Sequence, residues 1–172
     1  MKIRKLGLII GLIIIGILAL MVVLTPIAFV LYQKYGGAHT GVATTLSGVP
    51  FASADIKDLS TKGPIEYAYK MGYRRRVRYL VTGAMDRATF ERLTAGKQWE
   101  GIPDVALYAD LVPYEYLKVD PAKFPVSTSA FAFEKLIPPP YPRSAQGEIL
   151  LFWLPDRGVF TVYGDRQALQ GE

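Results

Sequence analysis

The sixteen residues Glu148–Tyr163, EILLFWLPDRGVFTVY, decide how the folded part of this chain is built. Two β-rich apolar runs, Glu148–Leu154 and Val159–Tyr163, flank Pro155-Asp156-Arg157-Gly158. Pro presets one turn dihedral, Asp can bond its own backbone, and Gly accepts positive φ. The segment predicts a β-hairpin and therefore an antiparallel sheet. The polar end that follows, DRQALQGE, reads as a frayed tail, with the domain boundary at 166 and the tail over 167–172.

Upstream, Ile65–Met71 alternates, with Ile65, Tyr67, Tyr69 and Met71 on one side and Glu66, Ala68 and Lys70 on the other. That period predicts a strand; a short helix entered at Pro64 is the competing reading. After a break at Gly72-Tyr73, Arg74–Thr82 predicts a second strand. Asp86 is placed to cap a helix over DRATFERLTAG, with Gly96 as its left-handed C-terminal residue and Ala88, Phe90 and Leu93 facing the sheet. Val105–Leu111 suits a strand or a short helix equally. Tyr114–Val119, Phe124–Ser127 and Ala130–Leu136 are further short elements. Short strands with one good helix predict an α+β domain over 64–166, an antiparallel sheet with helix on one face.

Further upstream, residues 36–63 are rich in Gly, Ala, Ser and Thr and read as a linker or an extended arm. Before them, Leu6–Leu31 runs twenty-six residues without a charge. As a helix it reaches about 39 Å, against about 30 Å for a bilayer core. The run predicts one transmembrane helix. Lys2, Arg4 and Lys5 precede it and only Lys34 follows closely, which places the N-terminus (1–5) in the cytoplasm and the rest outside. Tyr32 and Tyr35 fall at the outer boundary, where amphipathic rings contact headgroups. A cleaved signal peptide would have a shorter apolar core and an adjacent small-residue site, whereas Ala52-Ser53-Ala54 lies well downstream. The reading is an uncleaved signal anchor in the cell inner membrane, with a periplasmic domain. Pro26 would kink the helix unless the freed carbonyl finds a partner. Gly7 and Gly11 form a G-x-x-x-G pair with Ala19 on nearly the same face, a surface suited to helix packing.

The net charge of +5 suggests nucleic acid at first sight. Residues 1–35 hold four of the twenty Lys and Arg and none of the fifteen acids, which leaves the remainder at 16 − 15 = +1. A nucleic-acid partner is therefore not expected. The absence of Cys excludes disulfides, thiol nucleophiles, thiolate metal sites and iron–sulfur ligation.

Candidate sites are few. In a strand, Arg74, Arg76 and Arg78 share one face and form a cationic stripe for anionic lipid, for an acidic partner surface, or for local acids in water. Pro138-Pro139-Pro140-Tyr141-Pro142 reads as a rigid loop feeding the hairpin. His39 stands alone, too little for a zinc site or a Ser–His relay. Asp104, Asp110, Glu115, Asp120 and Asp156 are scattered, and nothing pairs them as a glycosidase would. No metal, cofactor or catalytic motif is legible, and the chain resembles no family on recognisable motifs. The expectation is a non-catalytic accessory subunit of a larger membrane complex, a class that includes subunits of photosynthetic and respiratory assemblies. Its partners would be other membrane subunits and the lipid bilayer. Two alternatives are a tethered binding module for a cell-envelope ligand and an anchored hydrolase with a carboxylate pair.

Overall fold

The computed structural model describes residues 2–35, 37–52, 55–56, 59, 61–72, 75–96, 98–137 and 147–168, with side chains of the first helix described over 13–31. The chain forms two compact units, 1–36 and 37–172.

The first unit is helix α1, Lys2–Tyr35. Its segment Ile13–Leu31 has a mean hydropathy of 2.9 and no part of it is buried within the chain. It is long and apolar enough to cross a bilayer once. The helix continues through Pro26, and just before it the Thr25 hydroxyl donates to the Met21 carbonyl at 2.7 Å.

The second unit is built on seven strands: β1 (His39–Ala43), β2 (Lys62–Met71), β3 (Arg76–Ala84), β4 (Glu100–Gly101), β5 (Phe131–Ile137), β6 (Gly147–Leu154) and β7 (Val159–Gln167). They form one sheet in the order β1-β2-β3-β7-β6-β5-β4, and every paired neighbour is antiparallel. The hairpin expected at 148–163 is β6–β7, at the centre. Its turn is closed by Gly158 N–H donating to the Pro155 carbonyl at 3.3 Å, with Gly158 at φ +59°. Three short helices complete the unit: α2 (Arg87–Thr94), α3 (Val105–Ala109) and α4 (Tyr114–Leu117).

Both faces of the sheet are covered, where helix on one face alone was expected. On the first face Ile65, Tyr79, Val81, Leu151, Phe160 and Val162 pack under the segment 46–59, Phe90 of α2 and Trp99. On the second, Ala68, Leu80, Leu150, Phe152 and Tyr163 pack under Val112, Leu117 of α4 and Phe124. Burial on both sides explains why EILLFWL is continuously apolar rather than alternating. Strand-like alternation in β2 is correspondingly imperfect: Ile65, Ala68 and Lys70 are all buried.

The α2 cap forms as expected, with Asp86 accepting from the Thr89 amide at 2.8 Å. The helix ends at Ala95 in right-handed geometry, and the left-handed Gly expected at 96 is not found there. Phe90 carries the packing, stacked on Trp153 at 4.2 Å, while Leu93 is half-buried and Ala88 exposed. Val105–Leu111 resolves as α3, capped by Asp104 accepting from Leu107 N–H at 3.3 Å. Tyr114–Val119 resolves as the single turn of α4, and Phe124–Ser127 is irregular chain, since Pro125 has no amide for a ladder.

Much of the stretch read as a linker or an extended arm, 36–63, is part of the fold, with 36, 53, 54, 57, 58 and 60 outside the described residues. Its start is β1, its end is the first residues of β2, and Val49, Ala52, Ile56 and Leu59 are buried in the core. Of its small residues, Ala43 and Ala52 are buried and Gly41 lies under the Tyr67 ring. Of the polar end, Asp165 and Arg166 lie buried in β7 and Ala168 is buried after it, while 169–172 lie outside the described residues.

A recurring device pins the register. Gly41 faces Tyr67, Gly83 faces Phe160, Gly101 faces Phe133 and Gly164 faces Tyr79 across neighbouring strands. In each pair the ring lies over the glycine, covering backbone that has no side chain of its own. The tightest is Gly164, where a methyl group would overlap the Tyr79 ring. Gly164→Ala is expected to destabilise the domain by about 1–3 kcal/mol through overpacking. Thermal unfolding checks it, and an unchanged midpoint would contradict the register device.

Candidate functional site

Successive residues of a strand point to opposite faces, so Asp165 and Arg166 each found a polar cluster, one per face.

On the second face four charged residues align across four adjacent strands. Lys70 of β2 pairs with Arg78 of β3, Arg78 with Asp165 of β7, and Asp165 with Glu148 of β6. Asp165 accepts from Arg76 Nε at Oδ1 and from Arg78 Nε at Oδ2 (3.0 Å), with the Tyr163 hydroxyl at 3.4 Å. Lys70 and Arg78 both lie over the Tyr116 ring, at 4.6 and 5.0 Å from its centroid. The Asp165 contact raises the Arg76 pKa, outweighing the cost of burial. Burial, reinforced by Lys118, lowers that of Lys70. Burial, with Asp165 beside it, pushes the Tyr163 phenol above its usual range. Glu148 is raised by burial first, then by Glu134 and Asp165, with Arg76 opposing.

On the first face Arg166 pairs with Asp55, both nearly fully buried. The same guanidinium donates to the Phe51 carbonyl and, at 3.0 Å, to that of Gln167. Tyr79 donates to Asp55 at 2.9 Å, and Lys135 Nζ to the Asp55 carbonyl at 3.3 Å. A buried pair needs this completeness, because desolvation otherwise exceeds the Coulomb gain. Among the described residues no buried side-chain polar atom lacks a partner.

A third feature is a cleft of about 260 Å³ beside Thr40–Val42 of β1, lined also by Glu66, Tyr67 and residues 118–120, 123 and 124. Lys118 adopts φ +53° there.

Of the residues singled out by sequence, Arg76 and Arg78 come together on Asp165, half-exposed; Arg74 and 138–142 lie outside the described residues. Gly7, Gly11, Ala19, Tyr32 and Tyr35 belong to α1, with only the Ala19 side chain described, and it is exposed. His39 is exposed at the start of β1, its ring stacked on Tyr69 at 5.0 Å. The scattered carboxylates hold local structure. Asp104 caps α3, Asp120 accepts from the Ala122 amide at 2.9 Å, Asp110 follows α3, Glu115 opens α4 and Asp156 sits in the hairpin turn. Sequence reasoning missed Asp165, Glu148, Lys70 and the Asp55–Arg166 pair. Continuing the two-residue period of β7 past Tyr163 would have placed Asp165 and Arg166 on opposite faces.

Chemically, both clusters are braces. The two Asp165 oxygens are occupied by fixed guanidinium groups, and Asp55 is enclosed. No protein family model, no curated protein and no solved structure matches the chain.

Two outcomes follow. Asp55→Ala strands a buried guanidinium and should cost about 3–5 kcal/mol, whereas Asp55→Leu with Arg166→Met should cost less; urea unfolding of the three chains orders them, and equal losses would contradict a buried pair. Glu148 binds its proton more tightly folded than unfolded, so its contribution is present at low pH and is lost as pH rises through its folded value. Glu148→Gln should therefore stabilise the domain at neutral pH, with the gain vanishing below the ordinary value of 4.5. Melting temperature against pH measures this, and a destabilised neutral-pH variant would overturn it.

Proposed function

We propose that this chain is a non-catalytic accessory subunit of a larger membrane protein complex. It is held in the inner membrane by α1, with the N-terminus cytoplasmic and the sheet domain braced against partner subunits on the periplasmic face. The observation that carries this reading is the bare apolar surface of α1, none of Ile13–Leu31 being covered by the rest of the chain. Such a surface requires lipid or neighbouring helices. Orientation follows from Lys2, Arg4 and Lys5 against the single Lys34.

The tether supports a subunit rather than a ranging module. Only residues 36–38 separate α1 from β1. Four extended steps span at most about 14 Å. Of the carboxylates singled out by sequence, Asp104 caps α3 and Asp120 accepts from the Ala122 amide, which supports bracing over catalysis. One observation favours the alternative of a tethered module for a cell-envelope ligand, namely the cleft beside β1, whose mixture of charged, hydroxyl and apolar lining suits a small polar ligand.

Gentle detergent solubilisation of native membranes, followed by size separation and identification of co-migrating chains, tests the proposal. Co-migration with a defined set of membrane proteins at fixed stoichiometry is expected. Migration of this chain without other proteins would contradict it.

A further inference from the structure

We infer that β1 is a pairing edge for β1 of a second copy of this chain, joining two seven-stranded sheets antiparallel across a two-fold axis. The inference rests on the membrane-anchored reading of α1.

Among the described residues β1 pairs only with β2, and its other side presents unpaired amide and carbonyl groups. Natural sheets blunt such edges with Lys, Pro, bulges or very short strands. The opposite edge follows this rule: β4 has two residues, and β5 carries Glu134 and Lys135. β1 follows none of it. Its sequence is His-Thr-Gly-Val-Ala, without charge or proline, and its register with β2 is unbroken over all five residues. Val42 is 67% exposed.

Three observations select a copy of the chain itself as the occupant. An uncharged strand can pair with itself without setting like charges opposite each other. In an antiparallel pair centred on Gly41, Thr40 of one copy faces Val42 of the other, two β-compatible side chains. Copies anchored by α1 also share one bilayer, which confines them to a plane. Confinement of this kind raises effective concentration without any new contact.

The sequence contains no Cys, so one introduced thiol reports cleanly. The full chain is placed in phosphatidylcholine vesicles as Val42→Cys, with Arg157→Cys in the exposed hairpin turn as the control, and treated with a short bismaleimide. A crosslinked dimer is expected for Val42→Cys and not for Arg157→Cys. Adding Thr40→Lys to Val42→Cys should remove the dimer, with circular dichroism confirming that the fold is kept. A dimer that persists in the presence of Thr40→Lys would assign association to the spans and overturn edge pairing. A membrane-bound chain that gives no Val42→Cys dimer overturns this inference alone. A chain that does not associate with the vesicles overturns it together with the anchor reading.

Discussion

The ion pair between Asp55 and Arg166 is the constraint on which the domain depends. It sits in the core, with Asp55 7% and Arg166 4% exposed. Two charges so placed are held only if every donor and acceptor is met, and here they are met from three elements besides β7. Tyr79 comes from β3, Lys135 from β5, and the Phe51 carbonyl from the segment that covers the first face. The pair therefore fastens onto the middle of a sheet a segment whose regular structure, among the described residues, is one 3-10 turn at Leu46–Gly48. Without it, among the described residues, apolar contacts of Leu46, Val49, Ala52, Ile56 and Leu59 are left to hold that segment. Apolar burial supplies the attraction; the buried pair, with its geometric demands, supplies the position.

The neighbouring residue does the same for the opposite face. Asp165 binds Arg76 and Arg78, whose partner ring Tyr116 belongs to the α4 layer. Two consecutive residues of one central strand thus fix both covering layers. The Gly–aromatic pairs complete this arrangement, since Gly164 lets the Tyr79 ring lie flat across β7 and reach Asp55.

Much of the architecture was legible because it depended on local chemistry. The β6–β7 turn, the Asp86 cap and the strand character of β2 and β3 follow from residue types within a few positions of one another, while Ala130–Leu136 reads only as a short element of unassigned type. The failures share a different cause. Residues 39–59 look like a linker because Gly, Ala, Ser and Thr are common to loose chain and to chain packed closely on a sheet, and only the burial of Ile56 and Leu59 tells them apart. Asp165 and Arg166 look like a polar end because their partners, Arg76, Arg78 and Asp55, are some ninety to a hundred and ten positions away. The arginine stripe was half legible: alternation put Arg76 and Arg78 on one face, and nothing local pointed to the carboxylate that meets them.

Folding the supposed arm into the sheet also changes the functional picture. A long flexible leash would let the domain search for ligand, whereas only residues 36–38 lie between α1 and β1. The central claim is thus that residues 39–59 are structural. Hydrogen exchange on the full chain in detergent tests it most directly, read at the amides that donate within this stretch, among them Val49, Ala52, Asp55 and Ile56. The account predicts protection comparable to that of β2 and β3, because opening the segment exposes the buried pair and the part of the first face beneath it. Exchange at the rate of unstructured chain over 39–59, with the rest of the sheet protected, would contradict it.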